Sequence, residues 1–301
     1  MKTRLFAITC VAMVVIFAAA ATSAQAQSLM SRWPGRAHGT AVADPSAPKQ
    51  TPGIRTDADT CAYTFTNAGK GNSFMSFCVS TNGNIISFQS PSGIEYLNLG
   101  QLSEGYGICD LSTGVVYYDF SDYGNSGNWG NPVLLSLTGT SVKIARTSTD
   151  GLFTLTQTIA KQAGSTPYAK VTDAIKNNTA ATKDVYFIRW ADVDPFNANA
   201  TGNFQESFDS TNNSAWGYLA YDAVTTNTAG YGLAISNIGL PNVPYAFGGF
   251  DLNTNLAPNP CAPTANYFGY QALVDGSVET LYLLELVGNK TGTVNEKYEA
   301  F

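Results

Sequence analysis

Apolar and polar residues alternate with period two along much of the chain, the mark of strands with one face turned to a core. Within 152–159, Phe153, Leu155 and Ile159 alternate with Thr154, Thr156 and Thr158. Within 169–176, Ala169, Val171 and Ile175 alternate with Lys170, Thr172 and Lys176, and Val142 and Ile144 alternate with Ser141 and Lys143. Shorter runs at 84–88, 115–120, 133–137 and 231–236 are bounded by Gly, Asn, Pro and Ser, as strands of antiparallel sheets are. A near-continuous apolar run at 278–287 fits a buried strand or a short helix and is read as a strand. No internal repeat is visible, which disfavours a propeller or solenoid. The pattern predicts an all-β chain folded as one large antiparallel β-sandwich.

The N-terminus breaks this pattern. Basic Met1-Lys2-Thr3-Arg4 precedes an apolar run that ends in Ala24-Gln25-Ala26, the layout of a secretory signal peptide cleaved before Gln27. A retained membrane anchor is the alternative, but the run is short for a full span. From 27 to 60 the chain is rich in Ala, Pro, Ser, Thr and Arg without periodicity, as expected of a flexible leader. The domain expectation is therefore 1–26 signal peptide, 27–60 leader and 61–301 a single sandwich, in an exported protein without membrane insertion.

Charge and cysteine content narrow the function. The whole chain has a net charge of −6, and loss of Lys2 and Arg4 with the signal leaves 14 basic against 22 acidic residues. An acidic chain without a basic cluster argues against nucleic acid as a partner. Cys61, Cys78, Cys109 and Cys261 remain after the signal, an even count that reads as two disulfides in an exported chain. Three pairings are open; Cys61–Cys78 with Cys109–Cys261 is preferred. A cysteine metal site lacks both C-x-x-C spacing and a partner histidine. The only histidine, His38, lies in the leader, so mechanisms that need an imidazole within the fold are disfavoured. G-x-S-x-G, P-loop and Rossmann signatures are absent.

Candidate chemistry gathers in 184–218, DVYFIRWADVDPFNANATGNFQESFDSTNNSAWGY. If 185–194 is one strand, Tyr186, Ile188, Trp190, Asp192 and Asp194 share a face. Asp192, Asp194, Asn197 and Asp209 offer the oxygen ligands that calcium prefers, although the spacing is not that of an EF-hand. Alternatively a carboxylate here, paired with Glu206 or Asp209, serves glycoside hydrolysis, or the acidic and amide residues simply cap the turns of a long loop. A second polar stretch, 117–132, carries Asp119, Asp122, Asn125 and Asn128 beside Trp129. Aromatic rings stack on the apolar faces of sugars while amides and carboxylates bond the hydroxyls. Trp129, Trp190, Trp216 and Tyr123 are therefore the candidate ligand-binding residues, with some of the aromatics expected in the core instead. Asn177, Asn199, Asn212 and Asn289 begin N-x-[ST] sequons.

Three stretches carry a family resemblance. STNGNIISFQSPSGIEY at 80–96 resembles the opening hairpin of galactose-mutarotase-like supersandwich domains. The segment 153–189, with AKVTDAIKNNTAATKDVYFIR, is similar to their middle hairpin, and LYLLELVGNKTGTVNEKYEAF at 281–301 to their closing strand pair. The resemblance implies a carbohydrate-facing sheet. The catalytic histidines of mutarotases have no counterpart here, so epimerase activity is not implied. The expected function is a secreted, non-catalytic sandwich that binds carbohydrate or a cell-surface glycan, with calcium as a supporting ion. The alternatives are a histidine-independent polysaccharide hydrolase or lyase, and a purely structural envelope or matrix protein.

Overall fold

Successive side chains of a strand point to opposite faces, so each period-two run contributes one inward row to a sheet. The computed structural model describes residues 60–97, 104–121, 125–193, 195, 204–209, 214–219, 230–238, 245–251, 260–261, 271–272 and 277–301. All of them belong to one compact unit, Ala43–Phe301. The signal segment, the leader up to residue 59, Tyr123, Asp194 and Asn197 lie outside the described residues.

Among the described residues the elements are antiparallel strands and one 3-10 turn, Gly71–Ser73. A small sheet holds β1 (Tyr63–Ala68), β2 (Phe74–Val79) and β3 (Ile85–Gln89). A six-stranded sheet runs through β15 (Tyr245–Asp251), β17 (Ser277–Leu286), β11 (Lys183–Asp192), β4 (Glu104–Asp110), β5 (Val115–Phe120) and β6 (Asn125–Gly127). A nine-stranded sheet runs through β16 (Gln271–Ala272), β12 (Phe204–Asp209), β13 (Ser214–Leu219), β14 (Tyr231–Asn237), β18 (Thr291–Ala300), β10 (Tyr168–Asn177), β9 (Phe153–Gln162), β8 (Ser141–Thr147) and β7 (Val133–Leu137). The run at 278–287 is thus a strand. Both preferred disulfides are present, with Cα atoms 5.6 Å apart for Cys61–Cys78 and 4.9 Å for Cys109–Cys261. The first ties β2 to Cys61, two residues before β1, and the second ties β4 to the segment at 260–261.

The turns quoted above have local causes. After β3, the Glu95 carboxylate accepts hydrogen bonds from the N–H groups of Phe88, Tyr96 and Leu97 at 2.7, 3.1 and 3.2 Å, so one side chain organises the turn at 90–95. The turns after β10 and β17 differ from hairpins, because each carries the chain from one large sheet to the other. They are stitched together by Asn177, whose side-chain amide donates to the carbonyls of Ala181 and Leu286 at 2.7 and 2.9 Å. Its own carbonyl accepts from the Thr179 N–H and hydroxyl. Asn177 is buried and structural, whereas the Asn289 sequon sits exposed on its turn with φ 60°.

The inward rows of the two large sheets meet in two apolar clusters. One gathers Phe65, Phe77, Phe88, Ile144, Ile159, Val171 and Ile235 with other residues, and the second gathers Phe153, Leu155, Ile175, Phe187, Leu284 and Val294 among others. Between them lies a polar belt. On β9, β10 and β11 the inward row reads Leu155–Gln157–Ile159, Val171–Asp173–Ile175 and Phe187–Arg189–Ala191, and on β18 Val294–Glu296–Tyr298, with the middle residue polar each time. Arg189, fully enclosed, places Nη2 2.8 Å from Glu104 Oε1 and Nη1 3.1 Å from Asp173 Oδ2. Its Nε donates to the Tyr298 hydroxyl at 2.9 Å and Nη2 to the Gly83 carbonyl at 3.3 Å. The Glu104 carboxylate also accepts from the Ile85 N–H at 2.9 Å and from the Tyr298 hydroxyl at 2.7 Å. One guanidinium thereby links all three sheets. The guanidinium lies 5.8 and 5.7 Å from the ring centroids of Tyr106 and Tyr298, a cation–π position on two rings.

Candidate functional site

A belt sealed from solvent positions the sheets but meets no ligand, so the outer faces are where binding chemistry has to be sought. On the six-stranded sheet the outward row of β4 begins Gly105, Gly107, Cys109. In register, Gly105 stands between Phe120 of β5 and Trp190 of β11. A Cβ at Gly105 would fall 2.2 Å from the Phe120 ring, so glycine is what lets that ring lie against the strand. Tyr118, Phe120 and Trp190 form a cluster, with Phe120 and Trp190 edge to face at 6.0 Å between centroids. Phe120 and Trp190 are buried and Tyr118 is half-buried. Glu279 of β17 is the cross-strand partner of Trp190, and Asp192 lies diagonally from it; both carboxylates are buried. Among the described residues the buried Trp190 indole N–H has no hydrogen-bond acceptor.

The nine-stranded sheet repeats the aromatic–glycine–aromatic row on its own outer face. Tyr218 of β13 pairs with Gly232 of β14, and Gly232 in turn exchanges two backbone hydrogen bonds of 2.9 Å with Phe301. A Cβ at Gly232 would fall 2.4 Å from the Phe301 ring, and one at Gly230 would fall 1.6 Å from the Tyr218 hydroxyl oxygen. The two rings therefore close over backbone that has no side chain of its own. They are parallel within 1°, with centroids 6.0 Å apart, and Trp216 meets Phe301 edge-on at 6.3 Å. Here the rings stay open to water: Phe301 is 55% exposed, and Trp216 and Tyr218 are half-buried. Polar groups flank them on the same face. Ser214 and Ser236 share a 2.8 Å hydrogen bond, Lys297 and Glu299 form an ion pair, and the Thr172 hydroxyl donates to the Asn295 amide oxygen at 2.8 Å.

The candidate ligand-binding tryptophans do not converge. Trp129 lies inside, packed on Tyr106 and Tyr117 with the Arg146 guanidinium 5.9 Å from its ring centroid, and Arg146 pairs with buried Asp119. Trp190 and Trp216 lie on the outer faces of different sheets. Of the candidate calcium ligands, Asp192 is buried at the end of β11 on the Trp190 face, and Asp209 ends β12. Tyr186, Ile188, Trp190 and Asp192 share a strand face, as the alternation requires. Among the described residues, no three His, Cys, Asp or Glu side chains are grouped so as to hold a metal ion, and no helix is long and apolar enough to cross a membrane. Glu279 and Phe301 escaped the sequence reading. Phe301 was signalled by the outward alternation Asn295, Lys297, Glu299, Phe301 at the chain end, but its partners Tyr218 and Gly232 are supplied by a strand pairing that no local pattern states.

No protein-family model matches the chain, and no curated protein matches it in sequence. Solved structures with a similar fold include a candidate aldose 1-epimerase of Escherichia coli K12, at 12% identity and TM-score 0.45, over 79% of this chain and 99% of that one. A bacterial glucoamylase in complex with acarbose aligns at 12% identity and TM-score 0.48, over 83% of this chain and 34% of that one. A heparan sulfate lyase of Pedobacter heparinus aligns at 9% identity and TM-score 0.42, over 82% and 36%. The chain spans about a third of the length of the latter two. The resemblance to galactose-mutarotase-like domains is one of fold alone.

Proposed function

We propose that this is an exported, non-catalytic protein that binds carbohydrate through Trp216, Tyr218 and Phe301 on the outer face of the nine-stranded sheet. The observation that carries the reading is the half-exposed row of rings closed over Gly232, because packed aromatic side chains with open faces suit the apolar faces of pyranose rings. The Lys297–Glu299 ion pair on the same face offers charged groups of the kind that bonds sugar hydroxyls. Two disulfides and a signal-type N-terminus support export. Calcium enters the proposal only at the end of β11, where Asp192 is the one member of the ligand set with a described side chain.

The second reading, a histidine-independent polysaccharide-active enzyme, is favoured by one feature: Asp192 and Glu279 are diagonal on the face of Trp190. Two carboxyl groups on one sheet face are the pair that glycoside hydrolysis uses, one as acid and the other as base or nucleophile. The two readings separate in one experiment. The purified protein and its Trp216→Ala and Glu279→Gln variants are incubated with a panel of insoluble polysaccharides, in calcium and in EDTA, assaying retention and released sugar ends. The binding reading expects retention without release, weakened at least tenfold by Trp216→Ala and untouched by Glu279→Gln; tenfold corresponds to about 1.4 kcal/mol. Release of sugar ends that Glu279→Gln abolishes would overturn it in favour of the enzyme. Retention and melting temperature that are the same in calcium and in EDTA would remove the ion.

A further inference from the structure

Arg189 brings one positive charge into an enclosed space that also holds the carboxyl groups of Glu104, Asp173 and Glu296. Three negative charges against one positive cannot all be held cheaply in a low-dielectric interior, so one carboxyl is the natural site for a proton. The hydrogen-bond donors are shared unequally and select which one. Glu104 receives Arg189, the Ile85 N–H and the Tyr298 hydroxyl. Asp173 receives Arg189 and neighbours the Gln157 side chain. Glu296 makes no direct ion pair among the described residues; it accepts from the Thr280 hydroxyl of β17 at 2.5 Å and neighbours the Tyr282 phenol. Thr280 and Tyr282 belong to the six-stranded sheet and Glu296 to the nine-stranded one, so this contact crosses the sandwich.

We propose that Glu296 is a pH-operated latch between the two large sheets: protonated, it closes the belt onto β17, and ionised, it sets a carboxylate without a direct cation beside Asp173 and loosens β17 from β18. The groups facing it are Asp173 from β10, Arg189 from β11, Thr280 and Tyr282 from β17, and, through Tyr298, Glu104 from β4. Burial first and then the Asp173 charge push the Glu296 carboxyl up from 4.5 to about 7, against Arg189, Thr280 and Tyr282, which pull it down. Burial also raises Glu104 and Asp173, with Arg189 opposing it in both.

The sign follows from linkage. A carboxyl raised on folding holds its proton in the native state after the unfolded chain has lost it, so its contribution is complete below about 4.5, declines as pH rises to about 7, and is level above. The full window corresponds to about 300-fold in the folding equilibrium constant. Urea unfolding of the whole chain between about pH 5 and about pH 8.5 reads it. The wild type is expected to lose roughly a hundredfold in folding constant, levelling above pH 7, whereas Glu296→Gln, which keeps the shape of the protonated group, lacks this decline. Should the variant not fold, hydrogen exchange of the wild type gives the same answer: β17 and β18 amides lose protection up to pH 7 after correction for intrinsic exchange. An equal decline in wild type and variant, or β17 and β18 protection that is constant across the range, would overturn the latch.

Discussion

A single residue, Arg189, shows how much one side chain can settle in this interior. Among the described residues it is the one cation in direct contact with both Glu104 and Asp173, and its N–H donors are spread over side chains of both large sheets and the backbone of the β2–β3 turn. Arg189→Met would keep the length of the side chain and remove the donors, stranding two buried carboxylates. Breaking a buried ion pair from one side costs about 3–5 kcal/mol. We expect a loss of that size in urea unfolding, and a smaller one for Arg189→Met combined with Glu104→Gln, because the second change removes a charge that the first left alone; additive losses would count against the ion-pair account. The alternation at 169–176 gave the face on which Asp173 stands, since Ala169, Val171 and Ile175 are two-residue steps from it. What it withheld was that a carboxylate could stand in a buried row, because the guanidinium that makes this tolerable comes from another strand on the opposite sheet.

At the scale of elements, period-two alternation located β8, β9 and β10, short turn-bounded runs located β3, β5, β7 and β14, and the runs at 185–194 and 278–287 located β11 and β17, each to within a few residues. Strand existence was legible because it is a local property of the pattern. Pairing was not: the turns after β10 and β17 look like hairpins in sequence yet cross between sheets, since what decides is whether the flanking rows hydrogen-bond or face each other. The same limit hid the two aromatic–glycine–aromatic rows, one assembled from β4, β5 and β11 and the other from β13, β14 and the residue after β18. β7 is the element most at odds with its surroundings. It ends the described part of the nine-stranded sheet, and Val133, Leu134, Leu135 and Leu137 are all exposed by about half. Leu135 sits at a register shift opposite β8, an irregularity of the kind that blunts strand edges. An uncharged apolar edge favours strand-to-strand association, and a lysine opposes it. Leu135→Lys is expected to raise the concentration at which light scattering begins while changing stability by less than about 0.5 kcal/mol; unaltered scattering would show that the edge is already protected.

The whole molecule adds a constraint on its ligand that no single site supplies. With 16 basic and 22 acidic residues the chain repels anionic polymers at neutral pH, and the described ring surface carries only the Lys297–Glu299 ion pair beside it. Stacking of rings on sugars depends little on ionic strength, whereas attraction to a charged glycan is screened as salt rises from about 0.1 M to about 1 M. If Trp216, Tyr218 and Phe301 form the binding surface, neutral polysaccharides are retained in preference to sulfated or uronate-rich ones, and retention is constant across that salt range. Retention of an anionic glycan that salt abolishes would place binding at charges instead of rings, and Trp216→Ala would then leave it unchanged. The sandwich and its acidic balance were legible from composition and alternation, but the side of the molecule that meets a ligand was not. Three tryptophans spaced along the sequence looked equivalent; folding buries Trp129 in the interior and Trp190 beneath the outer face of one sheet, and leaves Trp216 half open on the other. Salt-independent retention lost with Trp216 alone would therefore identify the nine-stranded sheet as the face that carries the function.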